Sequence, residues 1–243
     1  MSANNRGLLI VFEGVDRAGK TTQALMLVQK LQNMNIAVKY LRFPDRSAPI
    51  TGPAIDNFLK THKLDPSVSK TERENLATTM YLLFSANRWE RVSEMINLLN
   101  SGTTLVVDRY VDSGMAMFES QVSADHPFFK TNEKNLVPIY TLPDTGLPVP
   151  DVLFYLCASV DETTSKRDNF GAEVYENIEL QKKVKNCFEN NLRGDSVIIS
   201  VDVAKTKEDV HNEIWNFLIR SPIVSASTMS SPFFNTTFSL DFF

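Results

Sequence analysis

Residues 8–22 read LLIVFEGVDRAGKTT, an apolar run that leads into a glycine-bounded loop. In this loop Gly14, Gly19, Lys20 and Thr21 satisfy the phosphate-loop pattern G-x-x-x-x-G-K-[ST]. The glycines let the backbone curve around a polyphosphate, so that several N–H groups point at it. We expect Lys20 to reach the β- and γ-phosphates and Thr21 to place its hydroxyl on Mg²⁺. The pattern therefore predicts a site for a nucleoside triphosphate.

The residues around this loop supply the strand and helix that the motif requires. Apolar side chains recur at helical spacing between residues 24 and 31. Further strand-like runs are 37–44, 103–110, 151–159 and 195–204, and further helical segments are 71–100, 113–122, 172–193 and 207–219. Strands that alternate with helices indicate the α/β class. We predict a P-loop NTPase fold, with a five-stranded parallel sheet flanked by helices on both faces.

The length and composition indicate one domain followed by a tail. The chain has 243 residues, of which 43% are hydrophobic, and this is enough for one sizeable core. We expect a single domain over residues 1–220. Within it, residues 123–150 are rich in proline and polar residues and read as a long loop. Residues 221–243 are rich in Ser and Phe and have little charge, so this tail is either disordered or docked through its phenylalanines.

The net charge and the cysteines indicate which partners and which cellular compartment to expect. A net charge of −4 gives no indication of a nucleic-acid partner. No apolar run approaches the ~20 residues of a membrane span, and the first residues, MSANNRG, do not resemble a secretory signal. Cys157 and Cys187 form no CxxC pattern and are expected to be buried or half-buried free thiols. These features predict a cytoplasmic protein, with a nuclear or mitochondrial location left open.

A phosphate loop alone does not separate a switch or motor, in which water attacks the γ-phosphate, from a kinase, in which a second substrate attacks. The N-K-x-D pattern of guanine-specific switches is absent from the sequence. Arginines instead follow the predicted strands, where open α/β sheets bind ligands, and a phenylalanine lies one helical turn before another arginine. Arginine binds phosphate in a bidentate manner, and a phenylalanine suits a flat base. A nucleoside-monophosphate acceptor is therefore predicted near Arg42, Arg46, Phe84, Arg88, Arg91, Asp108 and Arg109.

Motifs along most of the chain resemble those of the eukaryotic-type thymidylate kinase family. In chain order they are FEGVDRAGKTTQ, LRFPDRS, LFSANRWE, TLVVDRY, SGMA, GLPVPD and FGAEVYEN. The resemblance implies that ATP and dTMP are converted to ADP and dTDP with Mg²⁺, as a step toward dTTP. It also implies a homodimer. The resemblance covers neither the tail nor residues 120–143.

On the acceptor side, the resemblance implies a dTMP site formed by Asp16, Phe43, Arg46, Phe84, Arg88, Arg109, Ser113, Gly114, Tyr175 and Gln181. Asp16 would accept a hydrogen bond from the 3′-hydroxyl of the deoxyribose. Arg46 and Arg109 would hold the 5′-phosphate. Phe84 would stack on the thymine ring, and Arg88 would hydrogen-bond the edge of the base. The catalytic set would be Asp16, Arg17, Lys20 and Arg109.

On the donor side, the resemblance implies ATP contacts from Gly14, Ala18, Gly19, Lys20, Thr21, Thr22, Arg167, Val203 and Ala204. Arg17 would reach across the phosphoryl group as it is transferred. Thr21 and Asp108 would hold the metal, Asp108 through a water molecule. Residues 166–177 would form a lid. No general base is needed, because the accepting phosphate oxygen is already ionised at neutral pH.

Two positions depart from the family pattern, and two other functions stay open. Val174 stands where the family often has a basic lid residue, and Met117 stands where the family helps to exclude a ribose 2′-hydroxyl. One alternative is a kinase for another monophosphate, such as dUMP, or for a nucleoside. The other is a nucleotide-binding scaffold without catalysis, which signals through its tail.

Overall fold

A five-stranded parallel sheet forms the centre of the molecule. The computed structural model describes residues 6–62, 67–130, 139–160, 174–175, 177–192 and 196–221. The strands are β1 (Leu9–Glu13), β2 (Val38–Arg42), β3 (Thr104–Asp108), β4 (Val152–Cys157) and β5 (Val197–Asp202). They lie in the order β2-β3-β1-β4-β5. Because the strands are parallel, their carboxyl ends share one edge, which we call the carboxyl edge.

Helices connect the strands. Within the described residues the α-helices are α1 (Lys20–Asn33), α2 (Gly52–Thr61), α3 (Lys70–Asn100), α4 (Val111–Glu119), α5 (Ile178–Asn191) and α6 (Lys207–Arg220). None of these helices is both long and apolar enough to cross a membrane. The longest, α3, begins at a capping box, in which Ser69 and Glu72 satisfy each other's backbone N–H groups. Two short 3₁₀ helices, Pro127–Phe129 and Ile139–Asp144, lie between α4 and β4.

The continuous apolar sequence of β1 reflects burial on both faces of the sheet. All five of its residues are buried. Ile10 and Phe12 face a core that α1 and α6 cover, whereas Leu9 and Val11 face a core that includes the end of α3. Successive side chains of a strand point to opposite faces, so a central parallel strand needs apolar residues at every position.

The predicted fold class is confirmed, and some local predictions need correction. The segment RSAPITGP at residues 46–53 reads as a loop in the sequence, but its last two residues begin α2, because a proline is tolerated in the first turn of a helix. The region 71–100, which the sequence allows as one helix or two, is a single helix. The predicted loop at 123–150 contains the two 3₁₀ helices. Cys157 and Cys187 are free and half-buried.

Candidate active site

A cavity of about 540 Å³ opens at the carboxyl edge of the sheet. The loop after β1, the loop after β2, the middle of α3 and the start of α4 surround it. The predicted site residues that line it are Asp16, Arg17, Gly19, Lys20, Thr21, Thr22, Arg42, Phe43, Arg46, Phe84, Arg88, Asp108, Arg109, Ser113, Gly114 and Tyr175. One cavity therefore joins the residues predicted for the donor to those predicted for the acceptor.

The phosphate loop has a backbone shape that depends on its glycines. Gly14 has φ 138°, and a Cβ atom there would lie 2.7 Å from the carbonyl oxygen of Leu156. Gly19 has φ 93° and is the N-cap of α1, whose first turn carries no acidic residue. The positive end of α1 therefore meets the cavity without a side-chain cap, so its N–H groups can bind an anion there.

The side chain of Lys20 folds back against the backbone of the phosphate loop. Its side-chain Nζ donates to the carbonyl oxygens of Gly14 at 3.0 Å and Val15 at 2.6 Å, and the residue is only 4% exposed. Burial, followed by the positive charge of Arg109, lowers the pKa of the Lys20 ammonium to about 7. The lysine is therefore poised to gain a proton when a polyphosphate places negative charge beside it.

Asp108 and Thr21 meet at the junction of β3 and α1. Thr21 Oγ1 and the hydroxyl of Tyr40 both donate to Asp108 Oδ2, the second at 3.2 Å. The other oxygen, Oδ1, is buried and has no hydrogen-bond partner among the described residues. Mg²⁺ is usually held by one or two carboxylates together with substrate phosphates and water. A partnerless carboxylate oxygen beside a threonine hydroxyl fits such an ion or its bound water.

Asp16 is held at both of its carboxylate oxygens. Arg109 Nη2 donates to Oδ1, and Gln181 Nε2 donates to Oδ2 at 2.8 Å. The backbone N–H of Asp16 also donates to Gln181 Oε1 at 2.9 Å. The three predicted residues thus form one network, in which Asp16 and Arg109 line the cavity and Gln181 supports Asp16 from α5.

Glu13 is a buried carboxylate that the sequence prediction missed. It ends β1, has no exposed surface, and accepts backbone N–H groups from Tyr110 at 2.8 Å and Ser113 at 3.1 Å. The Ser113 hydroxyl donates to its second oxygen. Burial raises the pKa of the Glu13 carboxyl, although these hydrogen bonds oppose the effect. Glu13 thereby ties the start of α4 to β1. The only sign of this role in the sequence is that an acidic residue stands at the end of a central strand.

Asp144 is a second residue that the sequence prediction missed. It ends the 3₁₀ helix Ile139–Asp144 and pairs with Arg88 through two hydrogen bonds, Nε to Oδ1 at 3.0 Å and Nη2 to Oδ2 at 2.6 Å. Both side chains are almost fully buried. The acid lies in a proline-containing segment that reads as a loop, and nothing in the sequence links it to Arg88.

Aromatic and apolar side chains complete the wall around Arg88. Phe84 lies one turn before it on α3 and makes an edge contact with Tyr175, with ring centroids 6.4 Å apart. Phe43 is buried and packs against Tyr110 at 5.8 Å. Met117, which departs from the family pattern, lines the same cavity. A flat ring would find an apolar surface here beside one arginine.

Of the remaining predicted residues, Arg46 is on the cavity wall, and the others lie away from it or outside the described residues. Arg46 lines the cavity and pairs with Asp56 of α2 at 3.2 Å. The predicted residues that do not line it are Gly14, Ala18, Arg91, Gln181, Val203 and Ala204. The last two follow β5 at the carboxyl edge. Arg167, most of the lid at 166–177, and the tail beyond residue 221 lie outside the described residues.

Comparisons with known proteins agree with this geometry. A family model for thymidylate kinase matches residues 12–214. The chain is 39% identical to thymidylate kinase of Dictyostelium discoideum, covering 86% of this chain and 83% of that protein. It is 37% identical to the human thymidylate kinase, covering 87% and 90%. A solved structure of Candida albicans thymidylate kinase superposes with a TM-score of 0.69 at 36% identity, covering 88% of this chain and 91% of that one. The chain belongs to the thymidylate kinase family.

Proposed function

We propose that this enzyme transfers the γ-phosphoryl group of ATP to dTMP and so makes dTDP for dTTP biosynthesis. The observation that carries the proposal is the single cavity in which the phosphate loop and the acceptor residues meet. A switch or scaffold would need the phosphate loop but not the acceptor side of this cavity, with its buried Arg88 and adjoining aromatic wall. Family membership supports the same substrates.

The transfer depends on alignment and charge rather than on covalent chemistry. Lys20, Thr22 and the amino end of α1 would hold the donor phosphates, with Arg17 reaching across the transferred group. Arg46 and Arg109 would bind the acceptor phosphate. Because phosphate charge is spread over several oxygens in the transition state, cations placed on both sides of it stabilise that state.

The residues also support a role for Mg²⁺. Thr21 and Asp108 would hold the ion, and the buried Asp108 Oδ1 is available to the ion or to its water. Bound Mg²⁺ would neutralise charge on the donor phosphates. The protein's own contribution is to fix the direction of the carboxylate through Thr21 and Tyr40.

The organisation around this site is proposed on family grounds. The family match lies within residues 1–220, in agreement with one catalytic domain. We further propose a homodimer and a cytoplasmic location. Sedimentation of the purified chain and localisation of a tagged copy would test these two points, and a monomer or a different compartment would contradict them.

A panel of monophosphate acceptors tests the proposed function. The purified enzyme, ATP and Mg²⁺ would be incubated with dTMP, dUMP, dCMP and dGMP in turn, and the nucleoside diphosphates would be separated and quantified. We expect dTDP to form fastest. Faster phosphorylation of another acceptor would support the rival kinase, and ATP binding without any diphosphate product would support a scaffold.

A further inference from the structure

Asp144 is placed so that it controls the direction of the Arg88 guanidinium. It accepts two of the Arg88 hydrogen bonds side by side, from Nε and Nη2. The side chains of Arg88 and Asp144 are 3% and 1% exposed. A buried guanidinium has few alternative positions when a carboxylate holds one edge in this bidentate manner. The partner of Arg88 therefore decides which of its N–H groups stay available.

Asp144 does not depend on Arg88 alone for its own position. The Ser85 hydroxyl on α3 donates to Asp144 Oδ1 at 2.8 Å. The Tyr81 hydroxyl, also on α3, donates to the carbonyl oxygen of Tyr140 and lies 3.3 Å from Asp144 Oδ2. The Trp89 indole N–H donates to the carbonyl oxygen of the preceding residue, Pro143, at 2.7 Å. These donors come from one face of α3, because residues three to four apart lie together on a helix. The 3₁₀ helix is thus fixed against α3 independently of the ion pair.

The opposite side of the guanidinium is equally restricted. A Cβ atom on Gly114 would lie 3.0 Å from both Nη1 and Nη2 of Arg88, so the first turn of α4 closes over it. Nη1 has no acceptor among the described residues, and Arg88 lines the cavity. Asp144 therefore leaves three of the five N–H groups of Arg88 available, both on Nη1 and the second on Nη2, in a side chain that lines the cavity.

We infer that Asp144 is a positioning residue for base selection. By occupying the N–H of Nε and one N–H of Nη2, it directs the remaining Arg88 donors at the edge of the acceptor base. A guanidinium can only donate hydrogen bonds. A base with a carbonyl at that edge accepts these hydrogen bonds. A base with an amino group there places its own N–H donors against those of Arg88, and no hydrogen bond forms. This inference rests on the proposed function, since it concerns how the same pocket reads its acceptor.

The test measures discrimination between a carbonyl and an amino group in the full-length enzyme. Dissociation constants for dTMP and dCMP would be measured by calorimetry for the wild type and for Asp144→Asn, together with kcat and KM for dTMP. The variant keeps the side-chain shape but loses the charge that orients Arg88. We expect the ratio of the dCMP to the dTMP dissociation constant to fall about tenfold or more, the loss of one charge-assisted hydrogen bond in a buried site. The KM for ATP should stay near the wild-type value.

A second buried Arg–Asp pair gives a matched control. Asp151 accepts a hydrogen bond from Arg6 at 2.7 Å, with both side chains less than a tenth exposed, and neither residue lines the cavity. Asp151→Asn should lower Tm without changing base discrimination. If Asp144→Asn fails to fold, Ser85→Ala removes one bond to Asp144 and should shift the ratio less, in the same direction.

The outcomes separate the two proposals. A wild-type enzyme that does not phosphorylate dTMP would contradict the proposed function itself. If the wild type phosphorylates dTMP, the role of Asp144 is tested by the ratio of the dCMP to the dTMP dissociation constant. An unchanged ratio in the folded Asp144→Asn variant would overturn that role. If Asp144→Asn does not fold, an unchanged ratio in Ser85→Ala would overturn it. An equal change in Asp151→Asn would also overturn it, because the effect would then reflect general destabilisation.

Discussion

ATP binding should take up a proton at mildly alkaline pH, and Lys20 should be the group that takes it. In the ligand-free enzyme Lys20 is buried against the carbonyl oxygens of Gly14 and Val15, and burial lowers the pKa of its ammonium to about 7. Phosphates placed beside this amine favour its charged form and return its pKa toward the ordinary value of 10.5.

The size of the effect follows from the two pKa values. At about pH 8, an amine with a pKa of about 7 carries roughly 0.1 proton, so binding takes up about 0.9 proton. At about pH 6 the amine is already charged, and the uptake falls to about 0.1 proton. The protonation costs about 1.4 kcal/mol at about pH 8, which weakens ATP binding there by roughly tenfold relative to a lysine that is already charged.

Titration calorimetry in buffers with different heats of ionisation measures this uptake directly. ATP and Mg²⁺ would be titrated into the enzyme without acceptor, and the observed enthalpy would be plotted against the ionisation enthalpy of the buffer. The slope gives the number of protons taken up. Lys20→Met is the control and should abolish the slope at alkaline pH. A wild-type slope near zero at about pH 8, or a slope that persists in Lys20→Met, would refute the assignment.

The same lowered pKa means that Lys20 reduces the free energy of unfolding of the ligand-free protein. In the unfolded chain the amine has its ordinary pKa of 10.5, so the unfolded state binds more protons between about pH 7 and 10.5. Stability contributed by this group therefore rises with pH through that window, and the penalty is complete below about pH 7. Lys20→Met should accordingly have a higher Tm than the wild type at acidic pH without ligand. A lower Tm would contradict this reasoning.

Three further predictions concern the reacting groups. Arg17→Ala should lower kcat far more than it raises the KM for dTMP if, as proposed, its charge acts mainly in the transition state; an unchanged kcat in steady-state assays would contradict that role. The 3′-deoxy analogue of dTMP should be phosphorylated much less efficiently than dTMP because Asp16 would lose its hydroxyl partner, and equal kcat/KM values would count against it. Tyr40→Phe should raise the Mg²⁺ concentration needed for half-maximal ATP binding, because Asp108 loses one of its donors; calorimetry at several Mg²⁺ concentrations would detect no shift if Tyr40 is only a packing residue.

The features that the sequence predicted well are those with local signals. The strand, glycine loop and helix of residues 8–31 are contiguous, and the chemistry of the loop is carried by residues at fixed spacing. Parallel strands that are buried on both faces are recognisable from apolar runs alone, as β1, β3 and β4 show. These elements define the carboxyl edge and hence the position of the cavity.

The features that it did not predict depend on contacts between distant residues. Asp144 meets Arg88 across 56 positions, and Glu13 meets Ser113 across 100. In the sequence, Asp144 reads as an ordinary acidic residue of a proline-rich loop, and Glu13 reads as the end of a strand. Only the folded chain shows that these carboxylates are buried, and that burial requires a partner.

The ion pair between Asp16 and Arg109 decides how the acceptor site should be probed. A carboxylate offers about four lone-pair positions and a guanidinium five N–H groups. Asp16 can therefore accept a sugar hydroxyl while Arg109 and Gln181 stay bound to it, and Arg109 keeps donors for a phosphate. The two residues thus hold each other in place before substrate arrives, which reduces the ordering cost of binding. It follows that substitution of Asp16 would also displace Arg109 and mix the sugar contact with the phosphate contact. The 3′-deoxy substrate removes only the hydroxyl, so it isolates the role of Asp16 in a way that mutation of the protein cannot.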